Sequence, residues 1–191
     1  MKIFTSDLHF GHNRIVEFTN RGKECLSQEN HDRWLINLWN DEVSSGDTVY
    51  HIGDFSFHKK YEDIADVVST LKGNKIFIKG NHDRREYLDR LVNDNLISAW
   101  YEYKELKVND YTAVLFHFPI ASWHKQSYGS WHLHGHSHGN FKDSKGKMLD
   151  VGIDSVYNMY GKHKFLDEHQ IKYRMDSIPI YLADEHRKDL T

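Results

Sequence analysis

The stretch Lys75-Ile76-Phe77-Ile78-Lys79-Gly80-Asn81-His82-Asp83 decides how the rest of the chain is read. Three consecutive apolar residues of β type run into a glycine and then into side chains that can ligate or titrate. Beyond it, Leu88, Leu91 and Val92 repeat at helical spacing, and Asp83 stands where it is expected to cap that helix. The unit is therefore strand, polar end, helix. It occurs twice upstream. Ile3 and Phe4 open a run that ends in Asp7, Leu8 and His9, and Gly11, His12, Asn13 and Arg14 lead from it towards a helix. Thr48 to Ile52 ends in Gly53 and Asp54, and Ile64, Val67, Val68 and Leu71 then follow the full i, i+3, i+4, i+7 template within Lys59 to Leu71. Between them, Trp34, Leu35, Leu38 and Trp39 mark an amphipathic core helix within Asn30 to Val43. Alternating strands and helices predict a parallel sheet covered by helices. In such sheets ligands gather beyond the carboxyl ends of the strands, so Asp7, Asp54 and Asn81 are expected to converge.

The second half reads differently. Ile97 to Val108 and Thr112 to Phe118 are strand-like, with a turn at Asn109 and Asp110, and form a hairpin better than a crossover. Val114, Leu115 and Phe116 end at His117. Trp131 to His134 form a short strand that runs out into Gly135-His136-Ser137-His138-Gly139. Imidazoles at i and i+2 share a side if the backbone is extended, whereas on a helix they point roughly 200° apart. Asp7 and His9 have the same spacing. Neutral imidazole is the commonest metal ligand, although taken alone the five-residue stretch also suits a solvated His-rich loop. Met148 to Ile153 reads as one more strand, Leu166 to Met175 as a late helix, and the residues after Pro179 as a weakly specified tail.

With 191 residues, 39% hydrophobic, 28% charged and 14% aromatic, the chain suits one soluble globular domain spanning 1–191. Its start leaves no room for a secretory apolar segment, and no stretch approaches the roughly 20 apolar residues of a membrane helix. One cysteine, Cys25, excludes an intrachain disulfide and fits a reducing cytoplasm. A net charge of −3 argues against holding long nucleic acid by bulk electrostatics, although two divalent cations would reverse its sign locally. Fifteen histidines are the compositional oddity, and several sit at the ends of apolar runs.

The strand-end residues Asp7, His9, Asp54, Asn81, His117, His136 and His138 exceed what one tetrahedral ion can use, and a single structural zinc would leave several unexplained. They suit two five- or six-coordinate ions sharing a carboxylate. Nitrogen and oxygen donors without thiolate favour Mn²⁺, with Fe, Zn²⁺, Ni²⁺ or Mg²⁺ as alternatives.

Together, Asp7-x-His9, Gly53-Asp54, Gly80-Asn81-His82-Asp83, His117 and Gly135-His136-x-His138 resemble the calcineurin-like metallophosphoesterases of the small single-domain bacterial or phage type, with every block in the family's order. The resemblance implies an α/β fold, an αββα sandwich of two mixed β-sheets flanked by helices. It assigns Asp7, His9 and His138 to one metal, Asn81, His117 and His136 to the other, and Asp54 to both. It makes His82 the residue near the leaving group, oriented by Asp83. The implied activity is phosphoester hydrolysis by a metal-bridged hydroxide. One departure matters. Where many members continue Gly-Asp-x-x-Asp, and protein phosphatases then add an arginine, this chain reads Gly53-Asp54-Phe55-Ser56-Phe57-His58. The missing guanidinium leans the reading to phosphodiesters, with phosphomonoesters, or a non-catalytic scaffold, as alternatives. His12, Arg14 and Arg84 are substrate-binding candidates, with Arg85 a further possible replacement, and Trp123, Tyr128 and Trp131 suit either base stacking or core packing. A small phosphoester or nucleotide-type substrate is expected, without long nucleic acid or membrane. Oligomeric state is left open.

Overall fold

Alternate residues of the central strands face opposite ways, and both faces are covered, so both sets must be apolar. In the computed structural model, which describes residues 1–12, 14–25 and 28–182, β1 (Lys2–Thr5), β2 (Thr48–Ile52), β3 (Asn74–Ile78) and β4 (Ala99–Tyr101) run parallel, and β9 (Leu166–Asp167) adds antiparallel to β1. The first sheet has the order β4-β3-β2-β1-β9. Ile3, Val49 and Phe77 point to one face, where Leu35 and Trp39 of α3 (Gln28–Glu42), Ile64 and Val68 of α4 (Tyr61–Thr70), and Leu88 and Leu91 of α5 (Arg85–Asn93) cover them. Phe4, Tyr50, Ile52 and Ile78 point to the other, against a second sheet.

That second sheet has the order β5-β6-β7-β8. β5 (Tyr103–Val108) and β6 (Tyr111–Phe116) form an antiparallel hairpin, and β7 (Trp131–His134) and β8 (Met148–Asp150) continue from β6 in parallel. Leu115, Trp131 and Leu133 meet the first sheet's inner face, with Ile171 and Met175 of α7 (Glu168–Asp176) completing that core. On the outer face Trp123 packs with Val114 and Met148. The molecule is thus an α/β sandwich of two mixed sheets with flanking helices. Among the described residues no helix is long and apolar enough to cross a membrane.

Three expectations change. The run Ile97 to Val108 is not one strand of a hairpin: β4 pairs with β3, while β5 pairs with β6, so the chain passes between sheets at Glu102. The strand beginning at Met148 stops at Asp150, and Ile153 opens α6 (Ile153–Tyr160), whose apolar residues Ile153, Val156 and Tyr160 carry a helical repeat that the strand reading overlooks. Trp131 is fully buried and Trp123 nearly so, which makes both packing residues, whereas Tyr128 is exposed. Asn13 and the tail beyond residue 182 lie outside the described residues. The two shortest helices, α1 (Ile15–Phe18) and α2 (Gly22–Cys25), flank Arg21.

Arg21 is 0% exposed. Its guanidinium donates to both carboxylate oxygens of Asp154 on α6 at 2.9 and 2.7 Å, to the Leu8 carbonyl at 2.7 Å and to the Asp7 carbonyl at 2.5 Å. A buried pair adds little over an apolar replacement, but breaking one side strands a charge. Arg21→Met is therefore expected to cost about 3–5 kcal/mol in urea unfolding, and adding Asp154→Leu should recover part of that loss. Strictly additive losses would remove the pair as the anchor of this region.

Candidate metal centre

The strand ends turn inward through backbone conformations that side chains with a β-carbon rarely adopt. Asp7, His9, Asp54, His136 and His138 all have positive φ, between 48 and 67°. Asp and His tolerate this region better than most residues, at a cost of order 1–3 kcal/mol each. The extended backbone expected for Asp7-x-His9 and His136-x-His138 is therefore incorrect, because left-handed residues alternate with ordinary ones. The loops are held in register beyond the strands: Asp7 N–H donates to the Gly53 carbonyl at 3.0 Å, His9 N–H to Asp54 at 3.1 Å and Phe10 N–H to Phe55 at 2.9 Å. Gly80 and Gly135 allow close approach, since a β-carbon would overlap the Asp54 carboxylate at Gly80 and the Ser6 hydroxyl and Asp7 carboxylate at Gly135.

Two trios result. Ligand atoms of Asp7, His9 and His138 lie within 4.8 Å of one another, and so do those of Asp54, His117 and His136. In the first, Asp7 Oδ1 is 3.8 Å from His9 Nε2 and 3.9 Å from His138 Nε2, and the two imidazole nitrogens face each other at 3.2 Å. In the second, Asp54 Oδ2 is 3.5 Å from His117 Nε2, which Asn81 Oδ1 approaches to 3.1 Å. His136 and His138, although i and i+2, go to different trios. Each trio takes carboxylate from the first sheet and imidazole from the second.

The ring orientations suit cations. His138 Nδ1 faces Asp154 Oδ2 at 2.7 Å and His117 Nδ1 faces the Ile52 carbonyl at 2.8 Å, so each ring turns its Nε2 inward, where a bound cation would take the place of a proton. Burial pushes the Asp7 carboxyl up to about 7. Burial would lower His117, but the hydrogen bond to Asp54 and the charges of Asp7 and Asp54 carry it up to about 9. Asp54 is itself held well below the usual carboxylate range, against burial, by its hydrogen bond to His117. Burial and then the Arg21 charge push His9 down. His9 Nδ1 is buried without a hydrogen-bond partner among the described residues. Two carboxylates, four imidazoles and an amide oxygen, without thiolate, are donors that divalent transition metals accept.

Asp83 has a different place from the one expected. Its carboxylate accepts the backbone N–H groups of Gly80 and Asp54 at 2.8 Å and of Phe55 at 2.9 Å, and α5 has no side-chain cap. It shapes the turn bearing Asp54. His82 donates its backbone N–H to Asp54 Oδ1 at 2.9 Å, and its half-exposed ring places Nε2 3.9 Å from Asp54 Oδ2. The Phe57 ring lies tilted beside it, ring centroids 4.3 Å apart, and is 4.4 Å from the His12 ring. Arg14 pairs with Glu17 at 2.9 Å, Arg85 with Glu102 at 2.5 Å and Arg84 with Glu86 at 3.8 Å, the Arg84 guanidinium standing over Tyr87.

Several supporting residues escape the sequence reading. Asp150 accepts from Ser137 Oγ at 2.7 Å and from Gly139 N–H at 2.9 Å, bracing the loop of His136 and His138. Asp32 accepts the Gly11 N–H at 2.9 Å. Asp150 and Asp154 carried a usable signal, since Leu149-Asp150-Val151-Gly152-Ile153-Asp154 repeats the strand-to-carboxylate pattern of Asp7 and Asp54. Nothing in spacing distinguishes Arg21 from other arginines.

Comparison with known proteins agrees with this geometry. An uncharacterized protein of Methanocaldococcus jannaschii is 28% identical over 158 residues, covering 79% of this chain and 80% of its own. The Gene 66 protein of Mycobacterium phage D29 is 30% identical over 182 residues, covering 82% and 89%. A solved structure of a protein of unknown function from Aquifex aeolicus shares the fold, with a TM-score of 0.67 at 22% identity over 91% of this chain and 98% of that one. The family model for calcineurin-like phosphoesterases matches residues 3–186, and the chain belongs to that family.

Proposed function

We propose that the protein hydrolyses phosphoesters, diesters in preference to monoesters, with two divalent cations, Mn²⁺ foremost. The observation that supports this reading most is the pair of nitrogen and oxygen trios with His82 at their mouth. Asp7, His9 and His138 would hold one ion, Asn81, His117 and His136 the other, and Asp54 both. Such ions supply Lewis-acid stabilisation of phosphoryl oxygens and make water a nucleophile near neutral pH.

The chain's own residues do the rest. Asp154 and the Ile52 carbonyl keep His138 and His117 in the ligating tautomer. Asp83 holds the Asp54 turn. As water's oxygen bonds to phosphorus, losing a proton to solvent, and the ester P–O bond breaks, His82 would give a proton to the departing alkoxide. The diester preference rests on what surrounds the mouth. A dianionic monoester calls for a guanidinium fork, but Phe55 and Ser56 are buried, Ser56 Oγ donates to the Phe10 carbonyl, and Arg14, Arg84 and Arg85 are engaged by Glu17, Glu86 and Glu102.

Asp54→Ala should lose both ions together, from about two equivalents of Mn²⁺ towards none in elemental analysis, because two cations without their shared carboxylate repel each other. Loss of one ion with the other held at unchanged affinity would refute the sharing.

His82→Ala should keep both ions while turnover falls by roughly 10²–10⁴. The fall should be smaller for a p-nitrophenyl diester, whose leaving group hardly needs a proton, than for an alkyl diester. Equal falls on the two esters would assign His82 to charge stabilisation and not to acid catalysis.

A further inference from the structure

The stretch Phe55-Ser56-Phe57-His58, where the chain departs from the family's pattern, packs against the loop that follows His9. Phe10 N–H donates to the Phe55 carbonyl at 2.9 Å, Phe57 N–H to the Phe10 carbonyl at 2.7 Å, and Ser56 Oγ to that same carbonyl at 3.1 Å. One carboxylate then clasps both loops. Asp32 of α3 accepts the Gly11 N–H at 2.9 and 3.0 Å and faces His58 Nε2 at 3.1 Å. The His58 ring closes over Gly11, where a β-carbon would come within 2.6 Å of it.

Asp32 is itself backed from the core. Arg21 donates to His31 Nε2 at 3.2 Å, and a guanidinium can only donate, so His31 keeps its proton on Nδ1, 3.2 Å from Asp32 Oδ1. Burial alone would raise the Asp32 carboxyl, but the hydrogen bonds from His31 and Gly11 hold it below its ordinary value, and it stays an acceptor. What the clasp places is Phe57, whose ring lies beside two imidazoles, 4.4 Å from His12 and 4.3 Å from His82. The His82 side chain is 45% exposed, and among the described residues no other aromatic ring is as close to it, that of His9 being 6.1 Å away.

We propose that Asp32 is a positioning residue for His82, acting through His58 and Phe57: the clasp fixes the loop of residues 55–58, and the Phe57 ring then limits the rotamers open to the His82 imidazole. The proposal rests on the phosphoesterase reading, in which His82 gives a proton to the leaving oxygen. A half-exposed histidine can turn among several staggered rotamers, and proton transfer needs the one that brings a ring nitrogen within hydrogen-bond reach of that oxygen. The described partners of Asp32 are Gly11, His31 and His58, none of them a ligand in either trio. Its effect on the reaction is therefore one of geometry.

In histidine-labelled protein, with no turnover required, the ring Cε1–H and Cδ2–H resonances of His82, assigned by their absence in His82→Ala, should move in the same direction in Asp32→Ala and in Phe57→Leu, because both changes take the Phe57 ring from its place. In the assay, Asp32→Ala should keep the ions of the wild-type protein and slow an alkyl diester roughly 10- to 100-fold, the scale of a misplaced catalytic group, with a much smaller effect on a p-nitrophenyl diester. Added to His82→Ala it should cost almost nothing more. Asp32→Asn, whose amide oxygen can still accept from His31 and Gly11 while its NH₂ faces His58, should recover most of what the alanine loses. Should Asp32→Ala fail to fold, His58→Ala cuts the same clasp from the other side and is expected to show the same pattern. Unmoved His82 signals, loss of an ion, or equal slowing of the two esters would overturn the proposal while leaving hydrolysis itself standing. No hydrolysis of either ester alongside moved His82 signals would instead count against the phosphoesterase reading, with the placement of His82 by the clasp upheld.

Discussion

The guanidinium of Arg21 is the contact on which the candidate site depends, because it sits without solvent against the backbone of a strained loop. It holds the carbonyls of Asp7 and Leu8, and so braces the turn in which Asp7 and His9 both adopt positive φ. It also neutralises Asp154, whose carboxylate receives the Nδ1 proton of His138. A single planar, permanently charged fork can satisfy these partners together, whereas a lysine would offer one point charge and fewer directed donors. All three members of the first trio therefore answer to one side chain that touches none of their ligand atoms.

The second trio relies on a carboxylate in a comparable way. Asp83 gathers three backbone N–H groups from two loops, those of Gly80, Asp54 and Phe55, and so joins the end of β2 to the end of β3. The two trios also touch, since His136 N–H donates to the Asp7 carboxylate at about 3.0 Å. Opposite electrostatic solutions thus serve the two halves: a buried cation behind one and a half-buried anion behind the other. Both work by pinning backbone, which suits a site whose ligands are on turns and not on regular elements.

Much of this was legible because β-type runs stop abruptly at polar residues. Asp7, Asp54, Asn81 and His117 announce themselves that way, and parallel register brings their loops to one edge. What misled was local geometry. Spacing of i and i+2 suggested extended backbone, yet left-handed residues deliver His136 and His138 to different trios. Asp83 looked like a helix cap because capping depends on a neighbour in sequence, whereas two of its three partners come from another loop 28 and 29 residues away. The break at Glu102 was hidden since both halves of the run have strand-forming residues, and pairing partners, not propensity, divide them. Arg21 could not be found at all without the tertiary structure.

Each trio straddles the two sheets, and that arrangement has a consequence for synthesis of the chain. Asp7, His9 and Asp54 leave the ribosome early, while His117, His136 and His138 are made only after the crossing at Glu102 and the hairpin that follows it. Domains made N-terminus first can fold only what has emerged. Neither trio is complete until the second sheet docks on the first, so the growing chain presents isolated donors with little hold on a metal. Assembly of the trios would then mark the last stage of folding, and a chain stalled before residue 117 would lack the imidazoles that complete them.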